Sequence, residues 1–335
     1  MILHPGILAL LCGSTIILIV MLIASWHGLK ILLYWDLSSS SEQQLLLERK
    51  TWLISTLLNY ALVGQMLSAL LFVFTADDIH RLFVGAMCAT GALNANLVGW
   101  LVLLIKGALL FIASFWVVLN RLDQRTEDAP LTRPKYLVLL AMTPVVGLDL
   151  YLQWRYFSGL QPEVITSCCG SLFSAEGEGV AAGLAGMPVK QSMQLFFGVV
   201  GGYLVILLVC MRSQMALLRP LLFTASVLMF FVSLGAVVSF LSLYIYQMPS
   251  HHCPFDMLQA NYNYVGYPLY AGLFCATLFG MLPGIAQPLN KYASICSEIE
   301  RAEKYWLRIA LAGMLLFLTI GCWQMFFGSF RLLGY

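Results

Sequence analysis

Residues 97–119 read LVGWLVLLIKGALLFIASFWVVL, an apolar run broken by one charge, Lys106. A helix rises about 1.5 Å per residue, so roughly 20 such residues cross a hydrocarbon core about 30 Å thick. The stretch therefore predicts a transmembrane helix. Seven further runs have the same character: about 5–28, 51–74, 136–156, 193–211, 217–246, 264–282 and 305–327. The run at 217–246 is long enough to tilt or to project from the membrane. Only Arg212, Gln214 and Arg219 separate it from the run before it.

The whole chain agrees with its decisive stretch. Of 335 residues, 60% are hydrophobic and 10% charged, against about 25% charged in a soluble domain. Mean hydropathy is +0.85. The expected fold is an all-α integral membrane protein with eight transmembrane helices.

Charge sets the expected threading. Cytoplasmic loops carry an excess of Lys and Arg. Lys30, Arg49 and Lys50 fall in one set of loops, with 121–135, 212–219 and 291–308, for 13 of the 18 basic residues. The other set holds Arg81, Arg155, Lys190 and Arg331. The first set is expected in the cytoplasm, with both termini outside. The apolar N-terminus has no basic residue before Lys30, which reads against a cleaved signal peptide. No Asn-x-Ser/Thr sequon occurs, which favours a bacterial inner membrane over a secretory pathway. A net charge of +2 without a basic run offers nucleic acid no footprint.

This threading gathers the chemistry on the outer face. Cys88, Cys168, Cys169 and Cys253 lie in outer loops, as do His80, His251 and His252. That is the oxidising side, where disulfides persist. Adjacent Cys168 and Cys169 bridge each other only with strain, so each is expected to pair elsewhere, with Cys88 or Cys253 for instance.

Two outer segments match each other. Cys88 through Trp100 reads CATGALNANLVGW, and Cys253 through Tyr267 reads CPFDMLQANYNYVGY. With two extra residues in the second, Cys, Leu, Ala, Asn, Val and Gly coincide. The spans that follow both end in Leu-Asn-basic, at Leu119-Asn120-Arg121 and Leu289-Asn290-Lys291. We read a duplication: residues 1–160 form a first four-span repeat and 193–335 a second. Between them, 161–192 is an extracytoplasmic loop with the vicinal cysteines. Two parallel repeats of four helices are related by an axis along the membrane normal. Cys88 and Cys253 would then occupy equivalent places. Asn94, Asn96 and Asn261 follow them, either as ligand-binding amides or as helix caps.

Three constellations carry candidate chemistry. The first is the four outer cysteines, read as structural bridges, as a catalytic thiol redox relay or as metal ligands. The second is His251-His252-Cys253-Pro254-Phe255-Asp256-Met257. Its imidazoles, thiol and thioether, with Cys88, suit copper or zinc, and a neighbouring His equally activates a thiol. The third is the intramembrane polar pair Lys106 and Asp149. Charges in lipid are costly and face a partner or a cavity, so the two are expected to point inward and to pair. They read as a proton path, a site for an anionic or quinone-like group, or a structural clamp. Tyr262, Tyr264, Tyr267 and Tyr270, with Trp100, Trp154 and Tyr156, read as an interfacial aromatic belt.

No histidine lies mid-span, so no bis-His haem is expected inside the bundle. No Walker motif, His-Glu-x-x-His or nucleophile elbow occurs, so any ATP-driven role needs a partner that supplies the nucleotide domain.

The stretch from His251 to Tyr270, together with the residues around Cys88, resembles uncharacterised bacterial multi-pass inner-membrane proteins with an outer-face His-Cys-Pro-Phe motif. The resemblance implies export, or metal and redox trafficking. That pattern includes a Cys-x-x-Cys, and Asp256 stands here at its second position. The leading expectation is an extracytoplasmic Cys/His site for thiol redox or soft-metal handling. Its partners would be the lipid bilayer and either a transport ATPase or a periplasmic redox or metal carrier. The competing expectation is a non-catalytic, permease-like subunit of a transport complex, with structural disulfides.

Overall fold

The computed structural model describes residues 2–35, 41–126, 128–161, 180–213 and 215–332. Cys168 and Cys169 lie outside the described residues, as does most of the loop that holds them. All regular structure among the described residues is helical. Eight helices are long and apolar enough to cross a membrane. They are α1 (Pro5–Tyr34), α2 (Glu42–Ile79), α3 (Val98–Asp123), α4 (Thr132–Ser158), α5 (Val189–Arg212), α6 (Leu218–Tyr246), α7 (Gly266–Ala286) and α8 (Ala293–Phe327). The chain is a multi-pass membrane protein.

Sequence chemistry marks the helix ends. Pro5 opens α1, where its missing N–H costs nothing, and the His4 ring accepts from Gly6 N at 3.3 Å. Ser41 caps α2 by accepting from Gln44 N at 3.3 Å, and Glu42 suits the positive end of the helix dipole. With 38 residues α2 is the longest helix, and α8 follows with 35. Both start well before their apolar runs, because polar residues continue a helix that the hydrophobic count stops short of.

Helix α6 is interrupted instead. Residues Val237–Leu241 form a π turn, Ser242–Tyr246 resume the α-helix, and Gln247 ends it in the left-handed region at φ 55°.

The chain divides into two compact units. Unit 1 comprises Met1–Phe83, Ala92–Val164 and Tyr292–Glu298; unit 2 comprises Val84–Gly91, Ile165–Lys291 and Ile299–Tyr335. The short segment Val84–Gly91, which a division at residue 160 assigns to the first half, thus belongs to the second unit.

Within unit 1, α1 packs on α2 and α4, α2 on α3, and α3 on α4, which closes a four-helix ring. Its core includes Met21, Leu58, Leu109, Trp116 and Tyr136. Serine and threonine hydroxyls stitch the ring where water cannot. Ser25 meets Thr143 at 2.7 Å and Ser55 meets Tyr136 at 3.1 Å.

Within unit 2, α6 packs on α5 and α7, around Phe196, Tyr203, Phe240, Met314 and Phe317. Helices α7 and α8 cross at Gly272 and Gly313, where a Cβ on either would lie 2.8 Å from the other's carbonyl oxygen. Only glycine permits that approach, a common membrane solution. Large apolar side chains such as Leu104, Phe231 and Phe326 point outward. That suits lipid and would be a liability in water.

The starts of α3 and α7 share local geometry. Their preceding residues, Leu97 and Val265, have φ/ψ of −53°/−23° and −59°/−23°. Trp100 N bonds Leu97 O at 3.3 Å, and Tyr267 N bonds Tyr264 O at 3.1 Å. A Cβ on Gly99 would meet Leu93, and one on Gly266 would meet Leu258. The hydrogen-bonded and glycine positions are matched in the sequence alignment of the two segments, whereas Leu97 aligns with Tyr264, whose φ is 55° against −53° at Leu97.

Candidate dithiol centre

The loop from α6 to α7 is held by two tyrosines. Tyr246, at the end of α6, donates to Cys253 O at 2.6 Å and accepts from Met257 N at 2.9 Å. Tyr270, in α7, donates to Pro254 O at 2.7 Å. The Tyr246 ring also meets His251 edge-on at 4.8 Å and Tyr262 at 4.6 Å. Two turns of 3₁₀ helix, Asp256–Leu258 and Ala260–Tyr262, complete the loop. Asn263 and Tyr264 then turn the chain through positive φ into α7. The residues read as a belt thus divide, with Tyr156 buried, Tyr270 half-buried, and both bonded to backbone. Tyr246 was missed by the sequence reading. Its one signal was a polar tip at the end of an apolar run, seven residues before Cys253.

The segment Val84–Gly91 brings in the second thiol. Gln259 donates to Met87 O at 2.8 Å, and Gly91 N closes a turn on Cys88 O at 3.0 Å. Cys88 and Cys253 are both fully buried, with sulfurs 3.4 Å apart. Thr90 Oγ1 lies 3.4 Å from the Cys253 sulfur. Ala86 and Phe255 pack over the pair.

Beside the sulfurs lies a carboxylate. Asp256 takes hydrogen bonds from His251 Nε2 and from the Cys88 side chain. Its Oδ1 is buried and has no partner among the described residues. Burial pushes the Asp256 carboxyl above the ordinary carboxylate range, against the His251 bond, which pulls it down. The His251 side chain is 19% exposed. A chain of polar contacts therefore runs from buried thiol through carboxyl to an imidazole at the edge of solvent.

The other predicted residues have other positions. His252 Nδ1 bonds Val238 O, in the π turn of α6, at 2.8 Å. Met257 is packed in the apolar core of unit 2. Asn94 Oδ1 accepts from the Trp100 indole at 2.8 Å, and Asn96 Oδ1 from Val98 N at 3.1 Å. Both amides thus bond locally at the start of α3. Asn261 is exposed.

Donor atoms of Cys88, Cys253 and Asp256 all lie within 4.8 Å of one another. Two thiolates and one carboxylate suit zinc better than a copper(I) site, which prefers sulfur alone.

Within unit 1 the intramembrane charges pair. Lys106 Nζ lies 3.1 Å from Asp149 Oδ2 and 2.8 Å from Ser68 Oγ. Gln65 and Gln153 donate to the same Oδ2 at 3.0 and 2.9 Å, and Gln153 also donates to Ser14 at 3.1 Å. Asp149 Oδ1 and Gln65 Oε1 are buried without partners among the described residues.

No protein-family model, curated protein or solved structure matches the chain.

Proposed function

We propose that Cys88 and Cys253 form a dithiol/disulfide redox centre on the extracytoplasmic face of a bacterial inner membrane. The observation that carries this reading is a buried sulfur pair 3.4 Å apart, bonded to a carboxyl that leads outward through His251. A disulfide needs about 2.05 Å between sulfurs, so a small side-chain shift closes it. A purely structural bridge has no use for a proton route, because its protons leave once. A centre that cycles must move them at every turn.

The step is thiol–disulfide exchange with an external disulfide. Asp256 takes the Cys88 proton, and the Cys88 thiolate attacks a sulfur of the acceptor. One acceptor thiolate leaves, and a mixed disulfide forms. Cys253 loses its proton and attacks the Cys88 sulfur, which releases the second acceptor thiolate. Two electrons pass to the acceptor, and its two thiolates collect the two protons. Both sulfurs are buried, so Phe255 must move aside for the acceptor to reach them.

The orientation rests on the Lys/Arg asymmetry of the loops. The duplication into two four-span copies is supported by the matched starts of α3 and α7.

A redox titration of the purified protein in detergent, read by alkylation mass shift, tests the centre. The expected result is full interconversion of Cys88 and Cys253 in the native fold, at a potential above about −300 mV, where structural disulfides give way to labile ones. A pair reducible only after unfolding would return the protein to the non-catalytic reading with structural bridges. A second reading, zinc held by Cys88, Cys253 and Asp256, is favoured by the closeness of the three donor groups. Stoichiometric zinc that is lost in Cys88→Ser would select it.

A further inference from the structure

We propose that Asp149 binds a dissociable proton on Oδ1, inside the membrane, which makes unit 1 a proton-exchanging module. The inference stands on unit 1 alone and does not depend on the dithiol reading.

The carboxyl is strongly asymmetric. Oδ2 receives three donors, from Lys106 at 3.1 Å, Gln65 at 3.0 Å and Gln153 at 2.9 Å. Oδ1 receives none among the described residues, and Asp149 is fully buried. An ionised carboxylate spreads its charge over both oxygens, so a bare buried Oδ1 is costly. A proton on Oδ1 removes that cost and turns the atom into a donor. An acceptor is already in the network: Gln65 Oε1 is also buried without a partner, and its amide is anchored to Asp149 through Nε2.

The charges around the site allow both states. Among the described residues that contact Asp149, Lys106 on α3 is the titratable group. Helix α2 contributes Gln65 and Ser68 to this network, α1 contributes Ser14, and α4 contributes Gln153. With Asp149 ionised, Lys106 pairs with it and the site is neutral. With Asp149 protonated, the ammonium keeps Ser68 and the Oδ2 carbonyl, and it lies 5.9 Å from the centre of the Phe72 ring. The step is proton uptake from water at a membrane face: an O–H bond forms at Oδ1, and no electrons move.

Infrared difference spectroscopy of the full chain in lipid vesicles tests this. The expected result is a protonated-carboxyl C=O band that shifts in D₂O, bleaches as the pH is raised and disappears in Asp149→Asn. If Asp149→Asn does not fold, Asp149→Glu should move the same band rather than remove it. The absence of such a band, or one that neither exchanges nor titrates, would overturn the proposal. The carboxyl would then be a fixed part of the scaffold.

Discussion

Among its described residues unit 1 contains two buried Lys–Asp pairs, and they are built differently. Asp123 uses both of its oxygens. Oδ1 accepts from Leu131 N at 2.8 Å, and Oδ2 accepts from Thr132 at 3.3 Å and Lys135 at 2.6 Å. Lys135 also reaches Asn120 at 3.1 Å. This pair ties the end of α3 to the start of α4 and leaves no oxygen of the carboxylate unused. Asp149 crowds three donors onto one oxygen and leaves the other bare. Asp256 in unit 2 shares that one-sidedness, with Oδ1 unpartnered among the described residues and His251 on Oδ2. A saturated carboxylate is a staple. A half-satisfied one has room for a proton, and both half-satisfied carboxyls sit where the chain has candidate chemistry.

The contrast can be broken most sharply by removing the staple. Asp123→Ala strands a buried ammonium and two further donors, and should cost about 3–5 kcal/mol. Unfolding in a detergent–denaturant titration measures it. Lys106→Met should cost less, about 1–3 kcal/mol, because the Asp149 carboxyl escapes by taking up a proton. Equal losses at the two sites would erase the distinction. The double variant Lys106→Met/Asp149→Leu should recover most of the loss, since apolar replacement of a whole buried pair is often neutral.

At the dithiol site, Tyr246→Phe removes the bonds to Cys253 O and Met257 N, at about 1 kcal/mol each. Alkylation of Cys253 in the native protein should speed up. An unchanged rate would mean that the loop is held elsewhere.

The smallest effect is a pH slope. Burial raises the Asp256 carboxyl, so the folded loop favours the protonated form. That contribution is complete below the ordinary carboxylate value of about 4 and is lost as the pH rises through the raised one. Protection of the 248–262 amides relative to their intrinsic, base-catalysed exchange rates should fall over that window in the wild type and stay level in Asp256→Asn.

Membrane character and the number of spans were legible because lipid imposes one rule on every residue of a long run. The pairing of Lys106 with Asp149 was legible for the same reason: a charge in hydrocarbon must find a partner. The sequence also marked Cys88 and Cys253, through their matched surroundings. It said nothing of the partition of roles within the second motif. His251 and His252 are adjacent, yet one bonds Asp256 and the other a carbonyl in a π turn. A helix that changes its winding at Val237–Leu241 leaves no periodic signal. Tyr246 escaped notice because its role depends on the path of a loop.

By itself, then, the sequence determined an eight-span helical membrane protein, its expected threading and the thiols and charges from which the candidate sites are built, because solvation acts residue by residue. Only the tertiary structure decided which groups meet. It set Cys88 against Cys253, placed Asp256 between thiol and imidazole, and saturated one buried aspartate while leaving another with a bare oxygen. Those distinctions depend on ångström distances between residues far apart in the chain, and hydrophobic periodicity has no means of encoding them.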